Sequence, residues 1–185
     1  MLQLRRAKEE YAVVLDFLQH GYLEDLRPMH RKESVAQVLG KSFFTLLEII
    51  PSVQLKPYDE IYIGEGKRDK VTYIKGILDF NRMTQTAKSE LPFVIEKIVE
   101  TREKEFVQFF NTAGPISLRA HQLELLPGVG KKHAQALLEE RQKKPFESFE
   151  EIKQRVPSVD AKKVVIDRIV EELENKDRHR LFVRR

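Results

Sequence analysis

The residues best suited to chemistry in this 185-residue sequence form the run 127–132, Pro-Gly-Val-Gly-Lys-Lys. Glycine reaches positive φ without strain and has no side chain to block a ligand. Main-chain N–H groups can therefore converge there on an anion. A helix that starts at the same point adds unpaired N–H groups and the positive end of its dipole. The pattern predicts a site for a nucleic-acid backbone phosphate, with the contacts Gly128, Val129, Gly130, Lys131 and Lys132.

Apolar residues on both sides of this run have helical spacing. Leu123 and Leu126 precede it, and Ala134 and Leu137 follow it. This spacing predicts two helices joined by a tight turn, with Val129 pointing inward to hold them together. An ordinary helical hairpin is the alternative. Such a hairpin would need one glycine and would have no use for two lysines after the turn.

Residues 146–175 repeat this organisation with different chemistry. Ser148 is a suitable N-cap residue, and Glu151 follows it at the spacing of a capping box, which predicts a short helix. Asp160 can cap a longer helix after it. The intervening turn, residues 156–160, contains no glycine. A cradle of main-chain N–H groups is therefore not expected in this segment.

Lys162 and Lys163 open that longer helix. They can serve as secondary phosphate contacts, or they can belong to an ordinary solvated helix face. A pair of charges is weak support for binding, so the sequence leaves both interpretations open.

Taken together, the two segments resemble the tandem helix-hairpin-helix domains of DNA- and RNA-processing proteins, over residues 101–175. In such domains the first hairpin often binds backbone phosphate without reading base sequence, and a degenerate second hairpin completes the fold. The resemblance carries Gly128, Gly130 and Lys131 over as backbone contacts. The second turn departs from the family pattern, so the resemblance does not support a second contact of equal strength.

Composition excludes several classes of site. The chain has no cysteine, which rules out disulfides and thiolate zinc sites, and its five histidines show no ligand spacing, so we expect no metal or cofactor. No apolar run approaches the roughly 18 residues of a membrane span, and no signal region is recognisable, so a cytoplasmic location is expected. The net charge of +4 equals the four arginines of the tail, at positions 178, 180, 184 and 185. Binding must therefore depend on local clusters of charge.

Residues 40–82 are typical of β-structure. Aromatic and β-branched residues predict strands at 43–50, 58–63 and 71–80, and the glycines between the last two predict a hairpin loop. Residues 11–18 suit either a further strand or a helix. Several short strands in about 80 residues, too few for a sandwich, predict a small closed barrel of the OB type.

Such a barrel can hold bases on the aromatic side chains of one face, while its loops supply cations. Strand alternation places Tyr73 and Lys75 on one face, and Lys67, Arg68 and Lys70 lie in the predicted loop. The prediction treats these five residues as secondary contacts. The alternative is that they are ordinary exposed residues, and the sequence does not separate the two.

A helix is predicted for residues 89–111, capped by Ser89, with Pro92 in its first turn. The predicted fold class is α+β: a small OB-like β-barrel over residues 1–88, followed by an all-α tandem helix-hairpin-helix domain over residues 89–177. Residues 178–185 form a basic tail that can return to the barrel as an edge strand.

Several segments spread along the chain carry a wider resemblance, namely Phe109-Phe110-Asn111, residues 121–132, residues 145–150 and Leu181-Phe182-Val183. On these segments the chain resembles an uncharacterised archaeal family of predicted RNA-binding proteins. That family combines an OB-like amino-terminal domain with a tandem helix-hairpin-helix carboxy-terminal domain. The resemblance implies a fold and the binding of nucleic acid, and it supplies no assigned activity.

The leading hypothesis is a non-enzymatic protein that binds nucleic acid, with RNA favoured over DNA and no membrane partner. A DNA-binding repair or recombination factor, or a protein-binding scaffold, are the alternatives. Catalysis is not expected. A nuclease needs clustered carboxylates for metal ions, and the acidic residues near strands, Asp59, Glu60 and Asp79, suit solvent-facing strand ends. A base-excision glycosylase needs more chain to enclose a flipped base.

Overall fold

The structure, a computed structural model, describes residues 8–174 and 179–184. Within these residues the strands are β1 (Tyr11–Leu18), β2 (Val35–Gly40), β3 (Leu46–Pro51), β4 (Glu60–Tyr62), β5 (Val71–Ile77), β6 (Pro115–Ser117) and β7 (Ala120–His121). The α-helices are α1 (Gln85–Thr101), α2 (Glu103–Thr112), α3 (Lys131–Lys143), α4 (Phe149–Arg155) and α5 (Ala161–Leu173). The fold class is α+β, as predicted. The described residues divide into two compact units, residues 8–94 with 182–184, and Ile95–Leu181.

The first unit is built on a curled, five-stranded antiparallel sheet with the strand order β4-β1-β2-β3-β5. Strand β1 confirms the strand alternative for residues 11–18. Strand β2 lies at the centre of the sheet, and the sequence prediction missed it because all of its residues are buried and its pattern does not alternate. One side of the sheet forms an apolar core that includes Val14, Val38, Ile49 and Ile61.

The predicted hairpin between β4 and β5 is wrong. The two strands lie at opposite edges of the sheet, β4 beside β1 and β5 beside β3. The glycines that suggested a hairpin, Gly64 and Gly66, lie instead against the side chain of Tyr62. A Cβ at Gly64 would lie 2.5 Å from the Tyr62 hydroxyl oxygen, and that hydroxyl accepts a hydrogen bond from the N–H of Gly66 at 3.0 Å.

The third strand begins later than predicted because the residues before it form a turn. Phe44 has φ +55, and the buried carboxylate of Glu9 accepts hydrogen bonds from the N–H groups of Ser42, Phe43 and Thr45 at 2.8–3.2 Å. A carboxylate that gathers three main-chain donors fixes the path of the chain there, and strand pairing starts only at Leu46.

The predicted helix over residues 89–111 is two helices, α1 and α2, which meet at Arg102. The cap prediction is wrong: the hydroxyl of Thr84 accepts from the N–H of Ala87 at 3.0 Å, so α1 starts before Ser89. Ser89 lies inside the helix and donates to the carbonyl of Gln85 at 3.0 Å. The sequence-based domain boundary, between residues 88 and 89, falls within α1.

The second unit contains α2 to α5 and the short hairpin of β6 and β7. A 3-10 segment, Gln122–Leu125, leads to the turn before α3. The carboxy-terminal residues 179–184 form no strand, in contrast to the predicted edge strand, while residues 178 and 185 lie outside the described residues. The N–H of Arg184 donates to the carbonyl of Phe43 at 3.1 Å. No helix of the described chain is both long enough and apolar enough to cross a membrane.

Candidate nucleic-acid interface

The turn before α3 is a tight bend with Pro127 and Gly128 at its two central positions. The N–H of Val129 closes it by donating to the carbonyl of Leu126 at 3.0 Å. Gly128 has φ +77, which other residues adopt only with strain. Proline followed by glycine at these positions is the sequence that a type II turn favours. The two residues therefore fix the bend.

Val129 supports the turn from inside. Its side chain is only 5% exposed, as the sequence predicted, and its N–H is used by the turn itself. This corrects its place among the predicted phosphate contacts, because a buried side chain and an occupied N–H leave Val129 nothing to offer a ligand.

Gly130 is the N-cap residue of α3, and neither its backbone conformation nor its surroundings require a glycine. Its φ of −84 and ψ of −178 are extended and open to any residue, so the predicted need for positive φ applies to Gly128 and not to Gly130. An added Cβ would meet no heavy atom within 4 Å. The absence of a side chain does leave the start of α3 without a side-chain cap.

The first N–H groups of α3 are consequently uncovered. The carbonyl of Gly130 accepts the first helical hydrogen bond, from the N–H of Ala134 at 2.9 Å. Within residues 8–174 and 179–184, no acceptor faces the N–H groups of Gly130, Lys131, Lys132 and His133. Such a row at the start of a 13-residue helix suits an anion chemically, because the helix dipole favours negative charge at the same place.

Two lysines complete this cluster. Lys131 and Lys132 are both exposed, and neither ammonium group forms an ion pair with a carboxylate of the described residues. We call the four uncovered N–H groups and these two side chains the α3 start. Its groups are all hydrogen-bond donors, which suits a phosphate.

His133 is a part of the turn that the sequence prediction missed. Its Nδ1 lies 3.1 Å from the carbonyl oxygen of Gly128. Since a carbonyl only accepts, Nδ1 carries the hydrogen in this contact. The ring therefore links α3 back to the bend and restrains the carbonyl of the residue with positive φ.

The helices α4 and α5 begin differently. The hydroxyl of Ser148 accepts from the N–H of Glu151 at 3.0 Å, and the carboxylate of Asp160 accepts from the N–H of Lys163 at 3.1 Å, so both predicted caps are confirmed. The capping box is not complete, because the carboxylate of Glu151 accepts from the N–H of Glu147. Side chains thus occupy N–H groups that α3 leaves open.

Lys162 and Lys163 are engaged by carboxylates. The Lys162 ammonium lies 2.9 Å from both Glu96 and Glu100, and hydrogen bonds from it to Glu96 and then Glu100 raise its pKa above the usual range. Lys163 pairs with Asp167 at 2.6 Å. The structure therefore favours a structural role over the predicted secondary phosphate contact for both residues.

The predicted contacts of the first unit fall into two groups. Lys67, Lys70 and Tyr73 are exposed, Tyr73 at 42%, and the Arg68 Nε donates to the carbonyl of Gly64 at 2.8 Å. Lys75 is different, because it forms an ion pair with the carboxylate of Glu48.

Glu48 belongs to a buried polar cluster that sequence reasoning did not find. Tyr22 donates to its carboxylate, and the side-chain amide of Gln37 donates to the Tyr22 hydroxyl at 2.9 Å. Burial, followed by the hydrogen bond to Glu48, raises the pKa of Tyr22 to about 12. Lys75 forms its ion pair with this buried carboxylate. The charge of Lys75 therefore stabilises the fold and is not available to a phosphate.

The acidic residues near the strands have structural partners. Asp59 accepts from the N–H of Lys56 at 2.9 Å, Asp79 accepts from the N–H of Asn81 at 2.8 Å, and Glu60 pairs with Lys41 at 2.5 Å. Across the described residues, no three His, Asp or Glu side chains come together in a way that could hold a metal ion.

Comparison with known proteins places this architecture among archaeal relatives. A family model described as "Protein of unknown function (DUF655)" matches residues 8–184. An uncharacterised protein of Methanocaldococcus jannaschii is 40% identical over 180 residues, which cover 95% of this chain and 80% of that protein. The crystal structure of Af1531 from Archaeoglobus fulgidus, attributed to the same family, is 48% identical and superimposes with a TM-score of 0.89. That similarity covers 95% of this chain and all of the other.

Proposed function

The chain belongs to the DUF655 family, and we propose that it binds nucleic acid by gripping backbone phosphates at the α3 start. The observation that carries the proposal is the row of uncovered N–H groups from Gly130 to His133, beside two lysines without an ion-pair partner in the described chain. A phosphate oxygen can accept several of these hydrogens at once, and each hydrogen bond to a charged group contributes about 1.5–3 kcal/mol.

Contacts of this kind position a nucleic acid without reading its sequence. RNA is the expected class because of the resemblance in sequence, whereas N–H groups that contact phosphate cannot distinguish a 2′-hydroxyl from its absence. DNA binding by a repair or recombination factor would use the same groups. An RNA-binding function and a DNA-binding function therefore differ only in which nucleic acid binds this site more tightly.

We also infer the finer architecture on which this function depends. In this proposal, the segments around α3 and α4–α5 form a tandem helix-hairpin-helix domain, and the curled sheet is an OB-like barrel that serves as a second contact surface. The alternating helices and tight turns support the first inference, and the strand order β4-β1-β2-β3-β5 supports the second. Of the secondary contacts, Lys67, Arg68, Lys70 and Tyr73 remain in the proposal, and Lys75, Lys162 and Lys163 leave it.

The test is a titration of the full chain with a 12-nucleotide single-stranded RNA and its DNA counterpart, at 50 and 200 mM salt. We expect binding that weakens steeply with salt, because phosphate contacts release counterions. We expect Gly128→Val to reduce affinity at least about tenfold, since valine cannot hold positive φ without strain. Circular dichroism of that variant establishes that the fold is kept.

Two outcomes contradict the proposal: no binding of either strand at 50 mM salt, or unchanged affinity in a folded Gly128→Val protein. Competition between RNA and DNA of matched sequence then assigns the class. Turnover of labelled RNA with added Mg²⁺ would contradict the expectation that the protein is not an enzyme.

A further inference from the structure

The first unit contains a cavity of about 330 Å³, which Arg68 lines and the other proposed contacts do not. It opens beside the two edges of the curled sheet, since Ile63 and Gly64 follow β4 and Ile74 and Ile77 lie on β5. Its size is at the lower end of the range of small-molecule sites, about 300–1,000 Å³. Ile77 lines the cavity, and its side chain is 68% exposed.

The wall of this cavity is mostly apolar, with a buried carboxylate in it. Phe43, Leu47 and the isoleucines supply the apolar surface, and Glu9, only 8% exposed, supplies the carboxylate. Glu9 packs directly against the backbone of Gly40, since a Cβ added there would lie 2.1 Å from its carboxyl carbon. Glycine at position 40 therefore leaves the room that this carboxylate occupies.

The hydrogen bonds of Glu9 leave one acceptor position open. A carboxylate has about four lone-pair sites. Oε1 accepts from the N–H groups of Phe43 and Thr45, and among the described residues Oε2 accepts from the N–H of Ser42 alone. Glu9 forms no ion pair with a cation of the described residues. An incoming N–H donor would satisfy the remaining site.

Two guanidinium groups lie at the rim. Arg68 holds the carbonyl of Gly64 through Nε, and Arg184 lies over the ring of Phe43 at 5.2 Å; both line the cavity. Neither pairs with a carboxylate in the described part of the chain. The planar terminal N–H groups of arginine match the oxygens of a phosphate.

From this arrangement we propose that the cavity holds a nucleobase that carries an amino group, in the form of an unstacked nucleotide. The apolar wall contacts the faces of the base, Oε2 of Glu9 accepts from its amino group, and Arg68 and Arg184 contact its phosphate. Carboxylates accept from the cytosine amino group in other complexes. Uracil offers one N–H between two carbonyl oxygens, which a carboxylate repels, so the site discriminates against it.

This inference rests on the proposed function for its biological meaning, while its chemistry can be tested separately. The probe is a mononucleotide, added to the full chain labelled with ¹³C in the isoleucine methyl groups. We expect cytidine monophosphate to shift the methyl signals of Ile74 and Ile77 and to bind at least about tenfold more tightly than uridine monophosphate, the difference that one hydrogen bond to a charged group makes.

Two variants test the rim. Arg184→Gln should weaken cytidine monophosphate severalfold and leave cytidine, which has no phosphate, unaffected. Arg31→Gln is the matched control, because Arg31 is an exposed arginine of the same unit that does not line the cavity. Neither change removes a buried side chain, so both proteins should fold.

The inference is wrong if cytidine and uridine monophosphate bind equally, or if neither shifts the two methyl signals at millimolar concentration. It is also wrong if decanoate, an apolar anion without N–H donors, shifts them and cytidine monophosphate does not. A mononucleotide does not need the α3 start. If cytidine monophosphate shifts the methyl signals but no oligonucleotide binds at the α3 start, only the proposed function is refuted. If an oligonucleotide binds there but cytidine monophosphate shifts no methyl signal, only the inference about the cavity is refuted.

Discussion

Two segments of the second unit each start a helix after a tight turn, and they treat the first N–H groups in opposite ways. Before α3 stands Gly130, which has no side chain to cap the helix. Before α5 stands Asp160, whose carboxylate accepts from the N–H of Lys163. A side-chain cap stabilises a protein by about 0.5–2 kcal/mol relative to alanine, and by roughly a few tenths of a kcal/mol relative to glycine. The chain forgoes that contribution at α3, where the fold would accommodate a capping side chain.

The same contrast appears in the lysines. Both helices begin near a Lys-Lys pair, at 131–132 and at 162–163. The second pair is neutralised by Glu96, Glu100 and Asp167, whereas the first has no such partner in the described residues. The difference teaches that a basic pair identifies a binding site only when the surrounding fold leaves its charge unpaired.

The largest effect is expected when α3 is given the cap that α5 has. In Gly130→Asp, the carboxylate should accept from the uncovered N–H groups and repel a phosphate. We expect the protein to gain roughly a few tenths of a kcal/mol of stability, because glycine is already an acceptable N-cap residue, and to lose at least about tenfold in RNA affinity. Thermal unfolding measures the stability, and a titration at fixed salt measures the RNA affinity.

Gly114→Asp is the matched control for this variant, because it changes the net charge equally and an added Cβ there also meets no atom within 4 Å. It should leave RNA affinity within about twofold of the original, since distant charges are largely screened by salt. An equal loss of affinity in the two variants would mean that net charge, and not the α3 start, governs binding.

The next effect separates the two lysine pairs. Replacing Lys131 and Lys132 by glutamine should weaken single-stranded RNA binding about tenfold and lower the slope of log affinity against log salt by about 1.4, or 0.7 for each phosphate contact. The same change at Lys162 and Lys163 should leave both quantities unchanged. Affinities measured at four salt concentrations provide the comparison, and equal slopes in the two double variants would contradict it.

A smaller effect, on stability alone, is expected at the capped helices. Ser148→Ala removes the acceptor of the Glu151 N–H and should cost about 0.5–2 kcal/mol of unfolding free energy. RNA affinity should not change, because this helix start is not proposed to bind. Urea unfolding and titration measure the two quantities, and a matching loss of affinity would show that the second segment takes part in binding.

Much of the second unit could be predicted because its signals are local. Ser148 and Asp160 cap the helices they were expected to cap, and Gly128 adopts the positive φ expected of a glycine in this turn. The predicted start of the first helix at Ser89 was wrong. The hydroxyl of Thr84, earlier in the chain, accepts from the N–H of Ala87 and caps the helix instead.

The first unit was harder to predict because its determinants are distant in sequence. Strand β2 is buried on both faces and carries no alternating pattern. The glycines at 64 and 66 make room for the ring of Tyr62 and do not form a hairpin. The turn at Phe43 depends on Glu9, more than 30 residues away in sequence, and no local pattern signals such a contact.

The central claim is that glycine at position 130 serves a ligand and not the fold, and Gly130→Ala tests it most directly. Alanine suits the extended backbone there, but it is a poorer N-cap residue than glycine, so stability should fall by no more than about 1 kcal/mol. The methyl group should at the same time obstruct the neighbouring N–H groups and weaken RNA binding by roughly 0.7–1.4 kcal/mol, or about three- to tenfold. Gly114→Ala should leave affinity unchanged. Unchanged affinity in a stable Gly130→Ala protein would contradict the account.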